Sequence, residues 1–416
     1  MRRDRLDLVA FRIRLFDGSG MNRTARRTHG FTESVIRDMT RVANEAGAIN
    51  LAQGFPDFPA PDVLKEAACE AIRADVNQYA VTWGTPRLRR ALAAKYERDY
   101  DFHVDEASQI TVTCGATEAM AATLLAIIDP GDEVIIFEPF YENYGPDAIL
   151  CEARPVWVPL DANGPLDVDR VAAAITKRTR AIVINSPNNP TGRVFDRHEL
   201  LGLADLCLKH DLIAVTDEIY EHIIYAGPHV PIATLDGMAD RTITISGFSK
   251  TFSVTGWRVG TIVAPPDITQ AIRKVHDFLT VGAPAPLQEA CAAALDSLGS
   301  EYYDALAAGY RERRDVLVAG LIEAGFGCAP PAGAYYVLAD FSRLSERDDT
   351  SYSKWLARGG SESGGAADGP GVAPVPGSSF FHRGEAGKRL VRFAFCKRVE
   401  TLRLAADRLR AIARDD

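Results

Sequence analysis

The sequence predicts an α/β protein with a largely parallel sheet covered by helices. Short apolar segments of strand length alternate with stretches of helical periodicity along most of the 416 residues. Polar and ionisable residues gather directly after the apolar segments, and parallel sheets bind their ligands at the carboxyl ends of the strands. A composition of 47% apolar and 25% charged residues supplies a large core. The net charge of −9 argues against nucleic acid or an anionic membrane as partner. No apolar run reaches the roughly eighteen residues of a membrane span. The seven cysteines are scattered without a CxxC pair, and the eight histidines show no HExxH spacing. Neither a disulfide framework nor a metal site is expected, and a reducing cytoplasm is the expected setting.

Taken in order, residues 1–20 carry arginines beside Asp4, Asp7 and Asp17 and read as a disordered extension rather than a targeting signal. After Ala48 a strand-like entry leads into a Gly/Pro turn at Gly54. A helix is expected over Pro61–Ala74, where Val63, Leu64, Ala67 and Ala71 recur near helical spacing. Ile110–Thr113 reads as a strand running into Cys114-Gly115-Ala116-Thr117, a small-residue turn that opens a helix. Free N–H groups and the positive end of the helix dipole suit such a junction to an anion, and Gly115 allows close approach. Further strands are expected at Glu133–Phe137, Ala181–Ile184, Leu212–Val215 and Thr242–Ile245. The last three end in Asn185 to Asn189, in Asp217 to Tyr220, and in the segment carrying Lys250. A carboxylate such as Asp217 at the end of a buried strand is costly unless it meets a cation. Beyond Pro284 come helical stretches, including Tyr302–Ala324, then strands at Gly333–Leu338 and Leu390–Phe395 with a turn at Pro376–Phe380 between them. Arg392 lies on the strand face opposite Val391, Phe393 and Phe395. The run Gly359–Gly371 is poor in apolar residues and reads as flexible.

The chemistry centres on Lys250. Bracketed by Phe248 and Phe252 after a strand end, its amine is expected to be partly desolvated, which lowers its pKa and frees a nucleophile or base. Eight residues on, Arg258 stands in Gly256-Trp257-Arg258-Val259-Gly260, where glycines let an anion approach. An imine-forming amine beside a phosphate-gripping fork is what pyridoxal phosphate requires.

Ser249-Lys250-Thr251-Phe252 and Thr255-Gly256-Trp257-Arg258-Val259-Gly260 resemble the lysine segment of the class I/II aminotransferases, of fold type I. Gln53-Gly54-Phe55-Pro56-Asp57-Phe58-Pro59 most resembles the branch with the kynurenine, glutamine and methionine enzymes. The resemblance runs from about Asn22 to the C-terminus. It implies a large domain over 61–300 with a mostly parallel seven-stranded sheet, and a smaller α+β domain over 301–416. Residues 21–60 form an N-terminal arm and part of the small domain. The implied cofactor is pyridoxal 5'-phosphate, held at its phosphate by Gly115, Ala116, Thr117, Ser249 and Arg258. Tyr79 is implied to reach the partner's phosphate in a homodimer with a shared active site. Tyr141 would stack on the ring, Asn189 and Tyr220 would share its phenolic oxygen, and Asp217 would keep its nitrogen protonated. Gly54, Asn189 and Arg392 would receive the substrate carboxylate.

Three positions depart from the pattern. Gly247 stands where many relatives have a phosphate-binding serine, with Ser246, Ser249 or Thr117 as candidate replacements. Val281 and Gly282 replace an aromatic and a histidine of mammalian kynurenine enzymes. The implied reaction moves an amino group from an L-amino acid (neutral or aromatic, glutamine- or methionine-like) to a 2-oxo acid through a Lys250 aldimine. Aspartate transamination and carbon–sulfur β-elimination are the alternatives. A regulatory DNA-binding role would need a basic reading helix, which this acidic chain lacks.

Overall fold

The computed structural model describes residues 23–161, 164–361 and 371–412. The expected extension at 1–20 and most of the run 359–371 lie outside the described residues. The strands are β1 (Ile49–Asn50), β2 (Ile110–Thr113), β3 (Glu133–Glu138), β4 (Arg154–Pro159), β5 (Thr179–Asn185), β6 (Ile213–Asp217), β7 (Thr242–Gly247), β8 (Gly260–Val263), β9 (Tyr336–Asp340), β10 (Val372–Ala373), β11 (Val375–Pro376) and β12 (Leu390–Ala394).

Seven of these form the main sheet, in the order β2-β8-β7-β6-β5-β3-β4. All neighbours pair parallel except β8, which is antiparallel to both β2 and β7. The near-continuous apolar runs follow from burial on both faces. Val134 and Ile136 face the helix Ala116–Ile127, whereas Ile135 and Phe137 face the helix Arg197–His210. The sequence reading passed over β4, an edge strand with prolines at 155 and 159, positions an unpaired edge tolerates.

A second sheet, β11-β12-β9, is antiparallel. β1 pairs parallel with β10, and the helix Val35–Ala46 packs Ile36, Met39, Val42 and Ala43 against Ala357, Ala373, Val375 and Phe380. The segment before residue 60 therefore joins the far end of the chain. The expected helices appear as Asp62–Arg73, Ala285–Ser297 and Ser300–Glu323, and the turn at 376–380 is a 3₁₀ helix over Gly377–Phe380. Among the described residues no helix is long and apolar enough to cross a membrane, and no group of three or more His, Cys, Asp or Glu is placed to hold a metal ion.

The end of β7 is fixed from behind. Ser246 Oγ donates to Glu221 Oε1 at 2.7 Å, and Lys95 Nζ lies 2.6 Å from Glu221 Oε2, both side chains of the pair being buried. Burial opposes the Glu221 charge, but Lys95 outweighs it and holds the carboxyl far below its usual 4.5. Breaking a buried pair from one side leaves a charge without a partner. Lys95→Met is expected to lower stability by about 3–5 kcal/mol in urea titration, with the Lys95→Met/Glu221→Gln double variant losing less. The wild-type contribution is in place above the unfolded carboxylate pKa and is lost as the pH falls.

Candidate active site

Parallel pairing places Asn185 of β5 opposite Asp217 of β6, and Asp217 opposite Ile245 of β7. Three strand ends thus stand abreast, each continuing into a polar segment. Asn185 braces this edge: its Nδ2 donates to the Asp217 carbonyl at 2.9 Å, and its Oδ1 accepts the Asn189 N–H at 2.8 Å. Beyond β7 the chain makes one helical turn, Phe248–Thr251.

That turn sends Lys250 inward. Its Nζ is 3.5 Å from the Gly54 carbonyl and sits over the rings of Tyr220 and Tyr335, at 5.8 and 5.7 Å from their centroids. Burial is the main reason its pKa falls from the usual 10.5 to about 8. Arg258 and Arg392 also push it down, against the pull of Cys396 and Asp217.

Asp217 is buried, and burial raises its pKa. The Tyr144 hydroxyl, which donates to Oδ2 at 2.6 Å, the Ile219 N–H at 3.3 Å and the Lys250 charge act the other way. Tyr144, which from sequence reads as packing or pocket wall, is thus a partner of this carboxylate. The signal available was that a buried tyrosine needs a partner for its hydroxyl. Tyr335 and Tyr336 were missed in the same way. The Tyr335 hydroxyl donates to the Gly54 carbonyl at 2.8 Å, and those of Tyr220 and Tyr336 meet at 3.0 Å. A Cβ on Gly54 would overlap the Tyr336 hydroxyl, so the glycine serves a close approach. Tyr141 packs edge-on to Tyr144, with centroids 5.7 Å apart.

The helix Ala116–Ile127 begins after Gly115, whose φ of +86° suits glycine. A Cβ there would collide with the Arg258 guanidinium, and a Cβ on Gly260 would collide with the Gly115–Ala116 peptide. These glycines bring an arginine fork and the opening N–H groups of Ala116 and Thr117 to one place. Arg258 itself has a φ of +57° and donates to the Thr255 carbonyl at 3.0 Å. Ser249 lies buried in the lysine turn. Ser246 is eliminated as a stand-in for a serine at 247, because its hydroxyl is committed to Glu221 behind the sheet. Gly247 is itself confined, since a Cβ would stand 2.9 Å from the Val259 carbonyl.

Arg392 is fully buried in the middle strand of the second sheet. Its Nη1 donates to Asn189 Oδ1 at 2.8 Å and its Nη2 to the Ala52 carbonyl. The guanidinium lies over the rings of Tyr336 and Phe380, at 4.3 and 4.9 Å. Its Nε has no partner, and among the described residues no carboxylate pairs with it. A buried guanidinium without a counter-ion is expensive, and an anionic ligand relieves that cost. Tyr79 stands apart from the cluster, 89% exposed.

The family model for aminotransferase class I and II matches residues 46–409. The chain belongs to this family. This aminotransferase is 40% identical to the solved N-succinyldiaminopimelate aminotransferase of Mycobacterium tuberculosis, with a TM-score of 0.88 over 94% of this chain and 100% of that one. It is 36% identical to the methionine aminotransferase of Escherichia coli, over 91% of this chain and 96% of that protein. It is 33% identical to human kynurenine–oxoglutarate transaminase 1, over 93% and 97%. The family works with pyridoxal phosphate, and the residues present fit that group: a glycine-lined fork for its phosphate, a buried carboxylate and an inward lysine.

The neutral amine of Lys250 should predominate above about pH 8. Acylation of Lys250 in cofactor-free protein, followed by peptide mass spectrometry, is expected to rise through that pH and level off, well below the range of an ordinary lysine.

Proposed function

We propose that this aminotransferase uses pyridoxal phosphate to move an amino group from a neutral or aromatic L-amino acid, glutamine- or methionine-like, to a 2-oxo acid. The observation that carries the reading is a half-buried amine within the fields of two guanidinium groups that no carboxylate of the described residues pairs. One fork suits a phosphate and the other a substrate carboxylate.

Bound pyridoxal phosphate supplies a carbonyl that takes up the amino group and a ring that accepts electrons from the substrate Cα. Arg258, with the N–H groups of Ala116 and Thr117, holds its phosphate, and Thr117 and Ser249 offer hydroxyls nearby. Asp217, oriented by Tyr144, keeps the ring nitrogen protonated, and Tyr141 confines the ring. Asn189, its oxygen already turned to Arg392, presents its amide N–H to the phenolic oxygen beside Tyr220. Arg392 has its Nε–H and one N–H on each terminal nitrogen left for the carboxylate. Lys250, whose neutral amine predominates above about pH 8, would take the Cα proton and deliver it to the carbon that was the cofactor's carbonyl, on the other side of the transferred nitrogen.

A homodimer is part of the reading. Tyr79, Val81, Phe278, Leu279 and Val281 are exposed, and their segments touch where His276 bonds the Thr82 carbonyl, at 2.7 Å. An apolar patch of this kind suits a second copy, placing Tyr79 toward the partner's phosphate. The relative at 40% identity is named for N-succinyldiaminopimelate, which favours a second donor reading, an acylated diamino diacid.

The test is the visible spectrum of the cofactor-loaded protein while methionine, glutamine, kynurenine, aspartate and N-succinyldiaminopimelate are added singly. Bleaching by a donor, with stoichiometric 2-oxo acid, is expected, and Lys250→Ala should not turn over. Thiol and pyruvate release from cystathionine without acceptor would instead identify a β-lyase. Arg392→Lys is expected to lower kcat/KM about a hundredfold or more, since lysine cannot reproduce the bidentate grip. Light scattering should give twice the chain mass.

A further inference from the structure

The turn that offers N–H groups to a phosphate carries a carboxylate of its own. Glu118, in the first turn of the helix Ala116–Ile127, accepts the Cys114 N–H through Oε2 and so pins the turn Cys114–Thr117. Such a carboxylate suits a helix start, yet it opposes any second anion brought to the same place.

What faces it is His276, in the last turn of the helix Pro266–Leu279 and 0% exposed. Its Nδ1 is 2.6 Å from Glu118 Oε1 and its Nε2 is 2.7 Å from the Thr82 carbonyl oxygen. Thr280 Oγ1 donates to the same Glu118 oxygen at 2.8 Å. A carboxylate and a carbonyl are both acceptors, so a ring that satisfies both carries two N–H groups and is an imidazolium. Burial opposes both charges, but the hydrogen bonds and mutual attraction prevail, raising the pKa of His276 and lowering that of Glu118. Asp277 adds to the field that favours the imidazolium, and the nearby Cys114 thiol stays neutral because burial raises it.

We propose that His276 is a positioning residue of the phosphate site: its imidazolium cancels the Glu118 charge, so that Glu118 shapes the anion-binding turn without repelling the anion. The inference rests on the reading that this turn receives the cofactor phosphate. No sequence motif marks the pair, which is 158 residues apart in the chain.

The test measures binding of pyridoxal phosphate, inorganic phosphate and phosphate-free pyridoxal to cofactor-free protein by calorimetry, in wild type, His276→Gln and Glu118→Gln/His276→Gln. The single variant is expected to weaken both phosphate ligands about tenfold, with pyridoxal unchanged. The double variant, whose neutral side-chain amide oxygen at position 118 still accepts the Cys114 N–H, should return to within about threefold of wild type, because no buried charge is left without a partner. A ring that only fills space would leave the double variant as weak as the single one, and that result overturns the inference, as does wild-type binding by His276→Gln. If the single variant does not fold, the double variant decides alone: phosphate binding within about threefold of wild type is expected, and a loss of about tenfold or more overturns the inference. Failure of wild type to take up pyridoxal phosphate is a different result and sinks the phosphate-site reading itself.

Discussion

The parallel register of β5, β6 and β7 is the constraint on which the site depends. It ends three strands at one level, bringing Asn185 beside Asp217 and starting the lysine turn from the next strand. Hydrogen bonds of the sheet ladder are directional and numerous, so this edge is among the most rigid places from which side chains can be aimed. The side chains then differ in chemistry but share a frame. Asn185 braces the turn that carries Asn189, Asp217 accepts the Tyr144 hydroxyl, and Lys250 follows within one helical turn.

Charge is the second organising fact. Burial lowers the pKa of Lys250 and the Arg258 and Arg392 charges lower it further, while Asp217, which acts the other way, is itself buried. Such an arrangement costs folding free energy, because like charges repel and buried ions lose hydration. Anionic ligands offset that cost, so the energy held in the free site favours binding. Several other buried charges are paired. Lys95 meets Glu221 behind β7, Arg193 meets Glu199, and His276 meets Glu118. Arg392 differs from these pairs in having no carboxylate partner among the described residues.

Backbone close approach sets Arg258 against the opening of the helix Ala116–Ile127. Gly115 and Gly260 are small because Arg258 and a neighbouring peptide occupy the space a Cβ would take. Gly54 is small because the hydroxyl of Tyr336 does. At each position the side chain omitted is as informative as the ones supplied.

The sequence by itself determined the fold class and most strand cores, since periodicity, turn residues and local motifs are properties of neighbours along the chain. Lys250, Asp217, Arg258 and Arg392 were legible as candidates because each lies in or beside a recognisable strand end or motif. Only the tertiary structure decided the partners. That Tyr144 serves Asp217, that Ser246 turns away to Glu221, and that Arg392 is buried without a counter-ion depend on residues from tens to hundreds of positions apart meeting in space. The edge strand β4 escaped for a related reason: its prolines forbid a central place but not an edge, and position in a sheet is not written in any one segment.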